Sequence, residues 1–174
     1  NPTIFDYKRG DRAHVNPFRC FGVDWDKYGA SSSIIILDYN VIKKKFQVIK
    51  RVEVPRGEYS YDNAVNLIVE LNDIYNPSWI YVDRGSGEYQ LERLHIIGEE
   101  RPSTGLRNKV KGFQFKQTLE IMDPVTKFIT KEPFKPFMIN QLAICFERDK
   151  MMLSPFDEVL HKPLPVLQHE PILQ

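Results

Sequence analysis

Two acidic residues stand where strand-like runs end: Asp24 closes Phe21-Gly22-Val23, and Asp83 closes Trp79-Ile80-Tyr81-Val82, ahead of the small-residue turn Arg84-Gly85-Ser86-Gly87. A carboxylate at the end of an apolar run is costly unless something stabilises its charge, and a bound cation is a direct stabiliser. Hard oxygen donors suit Mg²⁺ or Mn²⁺, and two carboxylates on adjacent strand ends can bridge a pair of such ions. The reaction such a pair of ions supports is in-line attack at phosphorus, hence phosphodiester hydrolysis. The bland alternative is that each aspartate only forms a turn, as isolated strand-end aspartates commonly do. No HExxH, no GxxxxGK[ST] phosphate loop and no Ser-His-Asp arrangement occurs in the sequence.

The elements that must position Asp24 and Asp83 can be read around them. Phe21 to Trp25, Ser33 to Tyr39 and Phe46 to Val54 read as three strands joined by short connections, which favours an antiparallel meander. Ile34-Ile35-Ile36-Leu37 is apolar on both faces and suits a central strand. Between Tyr61 and Tyr75 the apolar residues recur at three and four, the period of an amphipathic helix, with Ser60 as cap and Asn76-Pro77 as stop. A strand, a crossover helix and the Trp79 strand would run parallel to each other, so Asp24 and Asp83 are expected at one end of the sheet, the carboxyl edge where open α/β sheets build sites.

Further on, Gly87 to Ile97 reads as a helix, Glu99 to Lys111 as a polar loop, Gly112 to Phe115 as a short strand, and Pro133 to about Asp149 as a helix whose apolar face is core. Met151 to Leu153 reads as one more short strand, and Ser154-Pro155-Phe156-Asp157 as a helix start. Three domain-level segments are expected: a linker-like stretch over 1–18, a globular domain over 19–162, and a proline-rich irregular tail over 163–174.

With 174 residues and 42% apolar content the chain suffices for one filled core. A net charge of +1 gives no global attraction to polyanions, so any hold on DNA must come from a local patch. Lys43 and Lys44 at the turn between the second and third strands, and Arg101, Arg107, Lys109 and Lys111, with Lys116 beyond, are the candidates; a solvated loop tip is the leading reading of the lysine turn, while phosphate contact and solvation weigh equally for the second cluster. His95 near a helix end reads as a surface side chain rather than a ligand. Cys20 and Cys145 are read as separate buried thiols, which fits a reducing cytoplasm. No apolar run is long enough for a membrane span.

In FGVDWDKYGASSS, then the helix, then WIYVDRGSGEYQLERL, and finally KPFMINQLAICFERDKMMLSP, the sequence resembles the nuclease domain of tailed-phage terminase large subunits, over roughly Phe21 to Lys162. The resemblance implies a ribonuclease H-like α/β fold: a mixed sheet, an antiparallel meander of three strands followed by parallel strands, flanked by helices. It implies a metal-dependent endonuclease that cuts concatemeric double-stranded DNA at a two-ion Mg²⁺ or Mn²⁺ site. Asp24 and Asp83 match the first and second family acids, and Asp26 is an outer ligand or a turn former. It also implies as partners the ATPase domain of the same subunit, the portal and the small terminase subunit, with the host cytoplasm as location and no membrane.

The sequence departs from the family at the third acid, which belongs on a late helix past the stretch matching Phe156 to Lys162. Asp157 reads as a capping residue, and Glu158, His161, His169 and Glu170 are unranked substitutes. The expectation is weakened metal binding and poor cleavage. A non-catalytic DNA-docking module is the competing reading, and an actin-like ATPase half is disfavoured by length and by the lack of a second phosphate loop.

Overall fold

The structure, a computed structural model, describes residues 18–25, 32–54 and 56–153. Strand β1 (Arg19–Asp24) pairs antiparallel with β2 (Ser32–Asn40), and β2 with β3 (Lys45–Val54), giving the expected meander. Helix α1 (Tyr61–Tyr75) then crosses to β4 (Trp79–Asp83), which lies parallel to β1, and β5 (Val110–Phe113) lies parallel to β4. With β8 (Met151–Met152) parallel to β3, the six-stranded order is β5-β4-β1-β2-β3-β8.

Local chemistry sets the boundaries of α1. The Ser60 side chain accepts from the Asn63 N–H at 3.0 Å, and Asn76 ends the helix in the left-handed region at φ 44°, donating its N–H to the Asn72 carbonyl. One face of the sheet is packed. Phe21, Val23, Ile34, Ile36, Ile80, Val82 and Val110 bury against Ala64, Val65, Ile68 and Leu71 of α1 and against Leu91, Leu94 and Ile97 of α2 (Arg84–Glu100). Burying such side chains is worth about 1.5–3 kcal/mol each relative to leaving them exposed. The opposite face carries Gly22, Asp24, Trp79 and Tyr81, all exposed.

A buried ion pair ties this core together. Arg19 on β1 donates to both oxygens of fully buried Asp38 on β2 at 2.6 and 2.8 Å, and to the Tyr75 carbonyl at the end of α1 at 2.7 Å.

Several elements differ from the sequence reading. Arg84 to Gly87 forms a helical turn, set off by a kink at Gly87 (φ −121°, ψ 20°) from the rest of α2, which runs on past Ile97 to Glu100. No side chain fits at Gly87, because a Cβ there would lie 2.1 Å from Cδ1 of buried Trp25. The segment read as a polar loop contains a 3₁₀ turn, Pro102–Thr104, and a short helix α3 (Leu106–Lys109), and β5 begins at Val110, before Gly112. Gly98 lets α3 approach α2: a Cβ there would lie 2.2 Å from the Arg107 backbone nitrogen. A hairpin, β6 (Thr118–Met122) and β7 (Ile129–Pro133), stands apart from the main sheet and was not expected. Helix α4 (Phe134–Glu147) forms where expected, but none of its residues is fully buried, and Ile139, Leu142 and Phe146 are at least half exposed. Full core packing of that face is therefore incorrect for the described residues. Cys20 and Cys145 are free thiols, but half-buried rather than buried.

The segments expected as a linker and a proline-rich tail lie outside the described residues, apart from Phe18, as do Asp26, Asp157, Glu158, His161, His169 and Glu170. No helix among the described residues is long and apolar enough to cross a membrane.

Candidate active site

Parallel pairing of β1 with β4 aligns Gly22 with Tyr81 and Val23 with Val82. One residue further along both strands stand Asp24 and Asp83. Alternation along a strand puts Asp24 on the exposed face with Gly22, and Asp83 on that face with Tyr81. Neighbouring strands lie about 4.8 Å apart, so these positions are first neighbours at the carboxyl edge.

The two carboxylates differ in surroundings. Asp24 is exposed, whereas Asp83 is half-buried and caps α2, its Oδ1 accepting from the Gly85 N–H at 2.9 Å. That bond orients the Asp83 side chain through a single oxygen and brings the positive end of the α2 dipole close to it. A cavity of about 340 Å³ opens beside Asp83, lined by Gly85, Gln114, Phe115 and Lys116. The register pairs Asp83 with Phe113, so the turn that follows β5 forms the wall of this cavity.

The donor chemistry fits a hard divalent ion in part. Two neighbouring carboxylates supply oxygen ligands, but no group of three or more His, Cys, Asp or Glu side chains that could hold an ion occurs among the described residues.

The basic candidates do not gather at this edge. Lys43 and Lys44 lie in the turn following Asn40, at the far end of β2 from Ser33, the partner of Asp24; seven residues of strand make this roughly 24 Å. Lys109 donates to the side-chain oxygens of Asn72 and Asn76 at 3.2 and 2.8 Å, closing the end of α1. Arg107 pairs with Glu99 at 3.3 Å, and the Lys111 ammonium lies 5.3 Å from the Trp79 ring centroid. Arg101 is exposed at the end of α2. His95 donates to the Val110 carbonyl at 3.2 Å and so fastens α2 to β5. A larger open groove of about 730 Å³ between α2 and β5 holds His95 together with self-compensating charges, Arg84 with Glu88 and Arg107 with Glu99.

Sequence reasoning placed Lys116 at the margin of a basic cluster and gave Gln114 and Phe115 no role. The signal was their position directly after the strand adjoining Asp83, but that strand's register was not visible in the sequence.

No family model matches the sequence, and no curated protein matches it. Solved structures do. The large terminase of the thermophilic bacteriophage D6E superposes with a TM-score of 0.54 at 9% identity, over 83% of this chain and 32% of that one. The large-terminase nuclease domain of Thermus phage P74-26 superposes with a TM-score of 0.50 at 16% identity, over 83% of this chain and 60% of that one. The chain thus spans about a third of the first protein and three fifths of the second. Its mixed sheet of antiparallel meander and parallel strands, flanked by helices, shares its fold with these two large-terminase structures.

Proposed function

We propose that this chain is the metal-dependent endonuclease domain of a viral DNA-packaging terminase large subunit, cutting double-stranded DNA with little sequence preference. The observation that carries the reading is the placement of Asp24 and Asp83 as neighbours on one face at the carboxyl edge of β1 and β4. Both residues would hold Mg²⁺ or Mn²⁺, which when bound supplies Lewis acidity at phosphorus and neutralises charge on the oxygens of the phosphodiester.

The protein's own part is positional. Asp83 is held by the Gly85 N–H, leaving its second oxygen for an ion, and Asp24 stands on a strand paired on both sides. Their exposed sheet face gives a long polymer access. Low sequence preference follows if contacts go to phosphates, which carry no base information. By the same reading the partners are duplex DNA, the ATPase domain of the same subunit, the portal and the small subunit, in the host cytoplasm.

Incubation of supercoiled plasmid with the protein and Mn²⁺ tests this. Nicked and linear products that disappear in both Asp24→Asn and Asp83→Asn are expected. Unchanged cutting by Asp24→Asn would overturn the assignment. A non-catalytic DNA-docking module is favoured by the lack of a three-ligand group among the described residues. It predicts salt-sensitive DNA binding indifferent to divalent ions.

A further inference from the structure

Divalent ions on Asp24 and Asp83 would offset the charge of those two carboxylates, but holding a long polyanion in place beside them calls for cations of the protein close to Asp83. Most basic side chains singled out in the sequence are engaged elsewhere: Arg107 and Lys109 are held by local partners, the Lys111 ammonium lies against the Trp79 ring, and Lys43 and Lys44 lie at the other end of the sheet. Arg84, adjacent to Asp83, is bound in a two-bond pair with Glu88 at 2.8 and 2.9 Å. Lys131 is paired with Glu120.

Lys116 is different. It lines the 340 Å³ cavity together with Asp83 and has no carboxylate partner among the described residues. Its backbone is fixed by a turn in which the Gln117 N–H donates to the Gln114 carbonyl at 3.1 Å, while the Gln117 carbonyl accepts from the Phe134 N–H at 2.9 Å, anchoring the turn to the start of α4. That anchor brings in a second cation: Lys135 stands over the ring of Phe115, its ammonium 5.8 Å from the centroid, and it too meets no carboxylate among the described residues. Phe115 is itself propped by Phe113, their ring centroids 5.3 Å apart, and Phe113 touches Phe134 at 5.5 Å. Phe115 and Lys116 thus line the cavity together with Asp83, and Lys135 stands on the ring of that same Phe115.

We propose that Lys116 and Lys135, spaced by the Phe115 ring, form a phosphate-holding subsite that grips the DNA backbone beside the Asp24–Asp83 pair, with Gln114 as a neutral donor on the same wall. The proposal rests on the nuclease reading, since it takes the backbone near Asp83 as its ligand. Ammonium groups act here as point charges toward phosphate oxygens, which gives affinity and orientation without base selection.

The test is the binding of a short fluorescein-labelled DNA duplex, followed by anisotropy over a salt series with Ca²⁺ in place of Mg²⁺. Lys116→Ala/Lys135→Ala is expected to raise Kd by roughly tenfold or more and to flatten the log–log salt slope by about 0.9 for each phosphate that is no longer neutralised. Lys116→Arg should retain binding, and Lys43→Ala/Lys44→Ala should bind like wild type. A double variant that binds within twofold of wild type, with the same slope, overturns the subsite and leaves the nuclease reading standing. A wild-type protein that binds no DNA overturns both. Both lysines are exposed, and matching thermal unfolding curves for the variants will confirm that the comparison concerns binding.

Discussion

Replacing Arg19 with methionine should be the most damaging single change outside the candidate site. The guanidinium makes two bonds to Asp38, at 2.6 and 2.8 Å, and one to the Tyr75 carbonyl at 2.7 Å, and it lies 5.6 Å from the centre of the Tyr75 ring. The Asp38 side chain has 0% exposure and that of Arg19 13%, so water screens the pair little. Removing one partner of a buried pair strands the other charge, at a cost of about 3–5 kcal/mol. For a chain of this size each kcal/mol corresponds to about 2–4 °C in Tm, so Arg19→Met should lower Tm by roughly 6–20 °C. Urea unfolding at neutral pH, read by circular dichroism, measures the loss. The double variant Arg19→Met/Asp38→Leu should regain most of it, because an apolar pair of similar volume has no charge to strand. A single-variant loss below about 1 kcal/mol would refute the reasoning, since it would mean that Asp38 is solvated and the pair a surface one.

Further outcomes follow from the same structure. Gly98→Ala should destabilise by about 1–3 kcal/mol, because its Cβ meets the Arg107 backbone at 2.2 Å and two helices must separate; urea midpoints equal to wild type would contradict this. The Cys20 thiol is pushed up to about 11 by burial and then by the nearby Asp38 carboxylate, so it should react far more slowly with a disulfide reagent at pH 8 in the native than in the unfolded chain. Equal rates would contradict it. Asp123, at the tip of the β6–β7 hairpin, is held below its ordinary value of 3.8 by the Thr126 N–H, then by the Val125 N–H and the Thr126 side chain. Its contribution is therefore present above that ordinary value and lost as pH falls through the lower folded value. An NMR titration of its carboxyl carbon should show a midpoint below that of a disordered aspartate.

Much of the frame was legible because its signals are local. The period change at Tyr61, the Ser60 cap and the Asn76 stop define α1 without tertiary information, and the apolar run at Ile34 marks the strand that lies in the interior of the sheet, between β1 and β3. What escaped depends on contacts distant in sequence. Gly87 looks like a turn residue and the chain does kink there, but what demands glycine is Trp25, which fills the space a Cβ would need. Arg19 and Asp38 are nineteen positions apart, and their pairing appears only once β1 and β2 are in register. Lys109 reads as a free cation in the sequence, yet it closes a helix through two asparagines from another element. For the candidate site, the two acids could be read as strand ends, whereas the wall beside them follows from the Asp83–Phe113 register.

The claim on which the functional account depends is that Asp24 and Asp83 share a divalent ion. Titration of the protein with Mn²⁺, followed by the loss of the free-ion electron paramagnetic resonance signal, tests it directly. The account predicts uptake by the wild type that is weakened strongly and to a similar extent in Asp24→Asn and Asp83→Asn, and unaffected in Lys43→Ala. Uptake that is absent in the wild type, or unchanged in either aspartate variant, would contradict it.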